Sequence, residues 1–519
     1  MVAALLNEYD RFTDVATMML SELLRGITVT KMFQTLYGRM VVTHDVQVNR
    51  LAYDSRTVGR GDCFIALRGV DIDGHTFIAN AVANGASVVV LEDDAAMPDS
   101  YFMHAGVVKV VVPNTRIALA LMAATVSGNP ASHLTIVGVT GTNGKTTTTH
   151  LIRSILGAHG AKAGLIGTIE YNIGDVVIPA THTTPESLEL QQLLRRMVDE
   201  KCSAAVMEVS SHSLTQHRVD GVRFAVAVFT NLTLDHLDYH GSMEAYFSAK
   251  RSLFEHLDPQ AVAVINIDDP WGIRMQTATQ SRTISYGTTD AADVCASDIS
   301  LTMSGTNFTV RYQGISTLME SPLIGRFNVS NMLASIATGI ALDIPMETMR
   351  TALRSSQIVR GRFERIVTPA GWAAVIDYAH TPDALHKALT AVRDIFDEAH
   401  RGRIITVFGC GGNRDKAKRP QMGRIATELS DCTIVTSDNP RKEDPESIIR
   451  EVAGGAVAGS QVECIADRRT AILKAFSLAQ KDDVVLIAGK GHEEYQVIGE
   501  TRQHFSDREI VEEYVRSAQ

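Results

Sequence analysis

Short continuous apolar runs alternate with segments of helical period along most of this chain. Runs such as Ile136–Val139, Ala204–Val209, Phe224–Phe229 and Ala261–Ile265 have the length and β-branched content of strands buried on both faces of a parallel sheet. Near the N-terminus the pattern predicts strands at Cys63–Leu67, Ser87–Leu91 and Val107–Val112 and helices at Phe77–Ala86 and Thr115–Ala124. Gly- and polar-rich residues Ser127–Ser132 read as a linker. In the middle, Thr147–Leu156 continues a helix, Ala163–Ile166 is a strand, and His182–Leu190 is a loop entering a helix, with Thr184 suited to cap it and Pro185 to its first turn. From Thr283 to Met319 the segments turn to β type, and Gly325–Leu342 reads as a helix with an apolar face. Beyond a second linker near Gln357–Arg362, strands at Ala373–Ile376, Ile404–Phe408, Cys432–Thr436 and Val484–Ile487 alternate with helices at Asp383–Phe396, Gln421–Leu429 and Ile448–Val452.

This order predicts an α/β protein of three domains: a small N-terminal α/β domain over 46–132, a central α/β domain with a mostly parallel sheet over 133–357, and a C-terminal Rossmann-like domain over 358–519. Residues 1–45 are expected to be an N-terminal extension. Leu5, Leu6, Met19, Leu20, Leu23 and Leu24 suggest short amphipathic helices there, with a mobile leader as the alternative.

Composition narrows the function. A length of 519 residues exceeds one ordinary core. The formal net charge of −10 disfavours bulk nucleic-acid binding. Six dispersed cysteines, at 63, 202, 295, 410, 432 and 464, suggest neither a disulfide scaffold nor a zinc knuckle. No apolar run approaches the roughly 18 residues of a membrane span and no signal-peptide arrangement opens the chain, so a cytoplasmic location is expected.

The chemistry centres on TIVGVTGTNGKTTTTHL, Thr135–Leu151. A strand, a glycine turn and a helix beginning at Lys145 are the parts that wrap backbone N–H groups around phosphate, with Lys145 reaching the outer phosphates and Thr146 free to hold Mg²⁺. The match to the general phosphate-loop pattern is imperfect, because Val139 stands where its first glycine falls. Glu208 closes a buried strand, where an unpaired carboxylate is costly and a metal role relieves the cost. Asp235, His236, Asp238 and His240 crowd one loop, read either as Mg²⁺ ligands or as solvated helix-capping acids. Two Mg²⁺ ions shared among Thr146, Glu208, His236 and the phosphates would neutralise charge during transfer.

Other residues carry two readings. Asp54, Ser55 and Arg56 form either a capped turn or a binding cluster, and Thr183 and Thr184 are either caps or ligand contacts. Ser211 beside His212 lacks the elbow of a serine hydrolase. Asn328 and Asn331, three apart on a helix, face one ligand or solvent. Lys250 reads as a surface or salt-bridge lysine. The C-terminal strand ends all carry polar or glycine-rich sequence, among which Asp438, Arg441 and Glu493 suit a zwitterionic small molecule: Arg441 for a carboxylate and Glu493 for an ammonium. These residues leave open whether the γ-phosphoryl group goes to water, a hydroxyl or a carboxylate.

The motifs DSRTVGRGDCFIAL (54–67), TGTNGKTTT (140–148), HTTP (182–185), MEVSSHSLTQHRV (207–219), NLTLDHLDYHG (231–241), YFSAKRSLF (246–254), GRFNVSNMLA (325–334), GRFE (361–364), DYAHTPDAL (377–385), DNPR (438–441) and GKGHEEYQ (489–496) together resemble the ATP-dependent Mur ligases of peptidoglycan synthesis. The similarity spans about residues 50 to 510 and is nearest to the branch adding the third amino acid. The resemblance implies domains for a UDP-sugar, for ATP and for an amino acid. It also implies transfer of γ-phosphate to the terminal carboxylate of UDP-N-acetylmuramoyl-L-alanyl-D-glutamate, followed by attack of an amine on the acyl phosphate. The DNPR form implies meso-2,6-diaminopimelate rather than lysine.

Carried over residue by residue, Ser55 would meet the uridine end, and Thr183, Thr184, Ser211, Gln216 and Arg218 the sugar-pyrophosphate and peptide. Gly141, Thr142, Asn143, Gly144, Lys145, Thr146 and Thr147 would hold the ATP phosphates, and Asn331, Arg362 and Asp377 adenine and ribose, with His380 close by. Lys145, Glu208, His236 and Lys250 would be catalytic. Lys250 would bear a CO₂-derived carbamate and join Thr146, Glu208 and His236 at Mg²⁺. Asp438, Asn439, Pro440, Arg441, Gly489 and Glu493 would bind diaminopimelate. A monomer acting on small molecules is expected.

Overall fold

The computed structural model describes residues 17–36, 39–40, 45–69, 72–396 and 402–517. Leu5 and Leu6, expected in a short helix, lie outside them. The chain packs into two compact units. One comprises the residues up to Ile136 with Lys162–Ala205 and Val209–Ala225; the other comprises Val137–Ala161, Val206–Glu208 and the chain from Val226 onward. The central segment therefore contributes to both.

In the first unit a five-stranded sheet runs in the order Lys31–Phe33, Val108–Val111, Val88–Leu91, Cys63–Ile65 and Leu51–Ala52, parallel except at the first joint. Every side chain of Val88–Leu91 is buried, the double-sided burial that its unbroken apolar run requires. The described part of the expected leader joins this sheet. Leu20–Leu23 is a short helix whose Leu20 and Leu23 enter the core with Val88 and Val110, and Lys31–Phe33 supplies the edge strand. The same unit holds the antiparallel strands Ala163–Ile166, Glu170–Ile173 and Val176–Pro179, and the helix Ser187–Asp199, which buries Leu190, Leu194 and Met197. That helix starts later than expected. Glu186 is its N-cap, without a side-chain cap bond, so Thr184 is not a cap and Pro185 lies outside the first turn.

In the second unit the strands Thr135–Thr140, Val226–Phe229, Val262–Asn266, Arg282–Gly287 and Val294–Thr302 pair in parallel in that order, and Gly305–Tyr312 and Ile315–Ser321 extend the sheet antiparallel. A separate six-stranded sheet follows in the order Glu364–Val367, Ala373–Asp377, Val484–Ala488, Ile404–Phe408, Cys432–Val435 and Val462–Cys464, antiparallel only at the first joint. Its strands alternate between two cores. Ile404 and Phe408 pack with Leu385, Leu389 and Met422 on one face, and Ile405 and Val407 with Ile472, Phe476 and Val511 on the other. Helices on both faces of a parallel sheet leave the strand C-termini as the open edge where ligands gather. Here that edge carries Asp377, Gly409, Ser437 and Gly489.

All six cysteines are free, and five are buried. Among the described residues no helix is long and apolar enough to cross a membrane.

Candidate active site

Strand Thr135–Thr140 ends at Gly141, and helix Lys145–Ala158 begins after Gly144. Neighbouring strand ends hold the turn between them. The Asn143 N–H donates to Asn231 Oδ1 at 2.9 Å, the Thr142 N–H to the Asn231 carbonyl at 2.9 Å, and Thr230 Oγ1 to the Asn143 carbonyl at 2.7 Å. Two glycines are required by shape. Gly141 has φ +149° and a Cβ there would sit 1.9 Å from Thr230 Oγ1; Gly144 has φ +87° and a Cβ there would sit 2.3 Å from Asn331 Oδ1. The result is a helix N-terminus preceded by a tight amide-lined turn, the geometry that takes phosphate.

Lys145 Nζ donates to the carbonyls of Gly141 and Thr142, each at 2.9 Å. Burial lowers its pKa, while the nearby carboxylates of Glu208 and Asp235 oppose that shift. Glu208 is 1% exposed at the end of its strand. Thr146 Oγ1 accepts from Arg362 Nη2 at 3.0 Å, and the Arg362 guanidinium lies 4.6 Å from the centre of the Tyr378 ring. Asp377 accepts from the Phe363 N–H at 2.7 Å, and burial pushes its carboxyl up to about 6 against the pull of Arg362. Burial also lowers His380, whose Nδ1 lies 2.8 Å from the Tyr378 carbonyl oxygen.

Lys250 overturns the expectation of a surface or salt-bridge lysine. It is 1% exposed on helix Met243–Glu255, its Nζ donates to the Gly141 carbonyl at 2.8 Å, and it makes no ion pair among the described residues. Burial, and then the charge of Lys145, hold its pKa well below the usual lysine range. Two lysines thus converge on one carbonyl oxygen, an arrangement two ammonium groups would resist.

The asparagines also differ from expectation. Asn328 and Asn331 are buried and bonded to each other at 2.9 Å, Asn328 reaches the Ile324 carbonyl, and Thr148 Oγ1 donates to Asn331. Their amides therefore brace the glycine turn and the start of their own helix, and Asn328 is turned away from solvent.

His236 stands at φ +53°, partly exposed, with Nε2 3.3 Å from Asp235 Oδ2. Burial alone would raise Asp235, but His236 and His380 pull it below the usual range. Asp235 was visible in the sequence only as one acid of a crowded loop. Asp383, too, carries no sequence signal beyond its place after a capping threonine, yet it accepts from Asn143 Nδ2 at 2.8 Å. Among the described residues no group of three His, Cys, Asp or Glu forms a ready metal cage. The donors predicted for a metal are a buried carboxylate (Glu208) that acts on Lys145, a hydroxyl in the first turn of the helix (Thr146) and an imidazole (His236). Such a mostly oxygen set fits Mg²⁺, which takes few protein ligands and completes its shell with phosphate and water.

At the C-terminal sheet edge, Asn439 Oδ1 accepts from the Val497 N–H at 3.0 Å and from Lys490 Nζ at 3.2 Å, while its Nδ2 donates to Glu493 Oε2 at 2.9 Å. Arg441, in the left-handed region at φ +52° just after Pro440, donates from Nη1 to the Gly412 carbonyl at 2.9 Å. Its Nη2 and Nε make no hydrogen bond among the described residues, leaving that edge of the guanidinium for a carboxylate. Burial and Asp438 raise Glu493.

The first unit gathers the remaining predicted residues. Ser55 lies buried in a single 3₁₀ turn, Ser55–Thr57, capped by Asp54, which also pairs with Arg56. Arg218 donates to the Thr184 carbonyl at 2.9 Å and to Gln216 Oε1 at 2.6 Å, and its Nε lies 2.7 Å from Glu186 Oε1. Thr184 Oγ1 accepts from the Ser210 N–H at 3.1 Å, at the start of helix Ser211–Thr215, and Thr183 Oγ1 lies 3.1 Å from Thr168 Oγ1. Sequence reasoning missed Glu186, which also pairs with Arg116 at 3.2 Å. It likewise missed the hydrogen bond from Tyr53 to Glu189 at 2.6 Å.

A parallel α/β sheet whose glycine turn and half-buried lysine open a helix, coupled to a second α/β domain with a charged strand edge, defines a phosphate-loop nucleotide enzyme. Three family models match in series: the Mur ligase family catalytic domain over residues 47–127, the Mur ligase middle domain over 139–339 and the Mur ligase glutamate ligase domain over 361–491. The chain belongs to the Mur ligase family. A Geobacter metallireducens protein named UDP-N-acetylmuramoyl-L-alanyl-D-glutamate–2,6-diaminopimelate ligase is 44% identical over 488 residues, covering 90% of this chain and 94% of its own. A Gloeobacter violaceus protein of the same name is 46% identical over 470 residues, covering 90% and 94%. A solved structure of a ligase of that name superposes with a TM-score of 0.64 at 33% identity, covering 91% of this chain and 95% of the other. At 22% identity, MurF from Acinetobacter baumannii shares the fold, with a TM-score of 0.63 over 91% and 96%.

Proposed function

We infer that this chain is an ATP-dependent amide-bond-forming ligase that adds meso-2,6-diaminopimelate to UDP-N-acetylmuramoyl-L-alanyl-D-glutamate, making the tripeptide precursor of peptidoglycan. The observation that carries this reading is the near full-length identity of 44–46% to ligases of that name, together with a phosphate turn and a separate strand edge carrying Arg441 and Glu493. Gly141 to Thr147 form the loop that holds the ATP phosphates, Thr142 and Asn143 shaping it through their bonds to Asn231, and Lys145 leaves the carbonyls of its own turn for the outer phosphate oxygens. A D-glutamyl carboxylate oxygen attacks the γ-phosphorus, the bond to the β-phosphate oxygen breaks, and ADP leaves. The diaminopimelate amine, having lost its ammonium proton, then attacks the acyl carbon; the C–N bond forms and inorganic phosphate departs. Thr146, Glu208, His236 and the carbamate of Lys250 would hold Mg²⁺, which when bound neutralises charge developing on the phosphoryl oxygens.

Ser55, Thr183, Thr184, Ser211, Gln216 and Arg218 take the UDP-sugar peptide, over a domain of residues 46–132 and the adjoining part of the central domain, 133–357. Asn331, Arg362, Asp377 and His380 serve ATP. Within the domain of 358–519, Asp438, Asn439, Pro440, Arg441, Gly489 and Glu493 take the amino acid. Arg441 offers its free edge to the distal carboxylate, which lysine lacks. The carbamate reading of Lys250 is supported by its burial, its lack of an ion pair and its depressed pKa. A neutral amine is the form that adds CO₂, and the product is the carboxylate a metal site would need. Labelled bicarbonate should give a carbamate carbon signal that Lys250→Ala abolishes, and acetate should partly restore that variant's activity; unmodified Lys250 in fully active protein would overturn this. Acting in the cytoplasm as a monomer fits these soluble nucleotide substrates. The functional reading is tested by phosphate release from ATP with the UDP-sugar dipeptide and either meso-diaminopimelate or L-lysine: release with diaminopimelate alone supports it, and release with lysine alone sinks it.

A further inference from the structure

Lys490 has no assigned role, yet it is the fully buried charge at the centre of the amino-acid pocket. Its Nζ donates to the Tyr495 carbonyl at 2.8 Å and to Asn439 Oδ1 at 3.2 Å, and lies 3.3 Å from Asp438 Oδ1 and 3.8 Å from Glu493 Oε2. The Asp438 carboxylate is itself more than nine-tenths buried, and its Oδ1 accepts no hydrogen bond, the lysine standing at ion-pair distance out of line. A Cβ added at Gly489 would meet nothing closer than the Gly409 carbonyl oxygen at 3.8 Å and the Asp438 carboxyl carbon at 4.0 Å. A methyl-sized group would therefore sit at ordinary contact distance beside this under-bonded carboxylate. Behind the pocket, Arg468 and Asp507 form a buried pair at 2.7 Å, whose charges cancel. Around Lys490 itself two carboxylates face one ammonium, and the guanidinium of Arg441, beside Tyr495, keeps its free edge for a carboxylate, so the Asp438–Glu493 end is the one matched to a cationic group.

We propose that Lys490 is a positioning residue for the amino-acid site: without touching substrate, it keeps Asp438 and Glu493 both ionised side by side and fixes Asn439 between them, so that the pair accepts an ammonium group. The other titratable groups facing the two carboxylates are Arg468, His380, Tyr378, Tyr495 and Cys410, whose thiol burial pushes up, with Arg441 beside Tyr495. Of these only His380 has an ordinary pKa near neutrality, and its proximity to Asp438 is the same in every variant below. Removing the lysine charge leaves two carboxylates that share a proton near neutral pH, as like charges in one site must. Such a shared proton blocks an ammonium and is lost as pH rises.

This rests on the diaminopimelate reading of the pocket, so the wild-type protein is measured first. If it uses no diaminopimelate, that reading fails, whatever the variants do. With wild-type activity established, Lys490→Met should raise the KM for diaminopimelate at least tenfold at pH 7, fall back towards wild type by pH 9, and leave the KM for ATP within twofold. Lys490→Gln, which keeps a neutral donor for Asn439 and the Tyr495 carbonyl, should show the same pH-dependent rise and serves if the Met variant does not fold. A diaminopimelate KM unchanged in both variants, raised equally for ATP, or raised by a factor independent of pH would overturn the proposal.

Discussion

At the residue scale, local charge decides which side chains act. Arg441 has a free guanidinium edge and an anchored one, so Arg441→Ala should cost roughly 2–5 kcal/mol of diaminopimelate binding while leaving ATP affinity unchanged. Titrating phosphate release with the amino acid measures the first and a fluorescent ATP analogue the second; an equal loss in both contradicts the assignment. Asp377 gives a pH signature. Its folded pKa of about 6 lies above the ordinary carboxylate value of 3.8, so the folded state keeps a proton that the unfolded state releases. The associated stability is complete below about pH 4 and is lost as pH rises through 6, a change of about 3 kcal/mol. Urea melts of wild type and Asp377→Asn from pH 4 to pH 7 should show the wild type losing stability relative to the variant over that interval. A difference that stays constant with pH contradicts the burial of that carboxyl. Lys250 shows what sequence could not reveal at this scale. Its neighbours Ala249 and Arg251 belong to a mixed helix surface, and only the fold turns it inward to the Gly141 carbonyl.

At the element scale, what was legible depended on how far each element is specified by its own residues. The continuous apolar runs at Val226–Phe229, Ile404–Phe408 and Val484–Ala488 were recognisable because both faces of these strands are buried. The short edge strand Val462–Cys464 and the hairpin Tyr495–Ile498 with Thr501–His504 were not, because edge positions mix exposed and polar residues. The helix after Thr184 was placed too early because Pro185 fits a first turn equally well as a loop, and Arg218 holds that loop by the Thr184 carbonyl. The phosphate turn was the most legible site element, since its two glycines have no substitute. Gly144→Ala should force the Asn331 amide aside and lower ATP-analogue affinity at least tenfold with UDP-sugar binding retained; unchanged nucleotide affinity contradicts the packing. The buried Arg468–Asp507 pair is an element-level brace joining helix Arg468–Leu478 to Asp507–Ser517. Arg468→Met should destabilise the fold by about 3–5 kcal/mol, and the double variant with Asp507→Leu should recover most of it. Chemical denaturation measures both, and a fully stable single variant contradicts the unpaired-charge cost.

At the scale of the whole molecule, the three-domain α/β order was readable in the sequence, and three family models match in that order. The central segment contributes to two compact units, a division that no local pattern encodes. The candidate sites follow the same division of difficulty. Motif residues such as Lys145, Glu208 and Arg441 were identifiable from chemistry and resemblance, whereas Glu186, Asp235, Asp383 and Lys490 acquire meaning only from the partners the fold brings to them. In the proposed reaction ATP is consumed only to activate a carboxylate for an amine. Phosphate release should therefore be negligible with ATP alone, remain so with ATP and either co-substrate singly, and appear when UDP-N-acetylmuramoyl-L-alanyl-D-glutamate and meso-diaminopimelate are supplied together. Steady phosphate release at full rate from ATP without the sugar-peptide acceptor would contradict it.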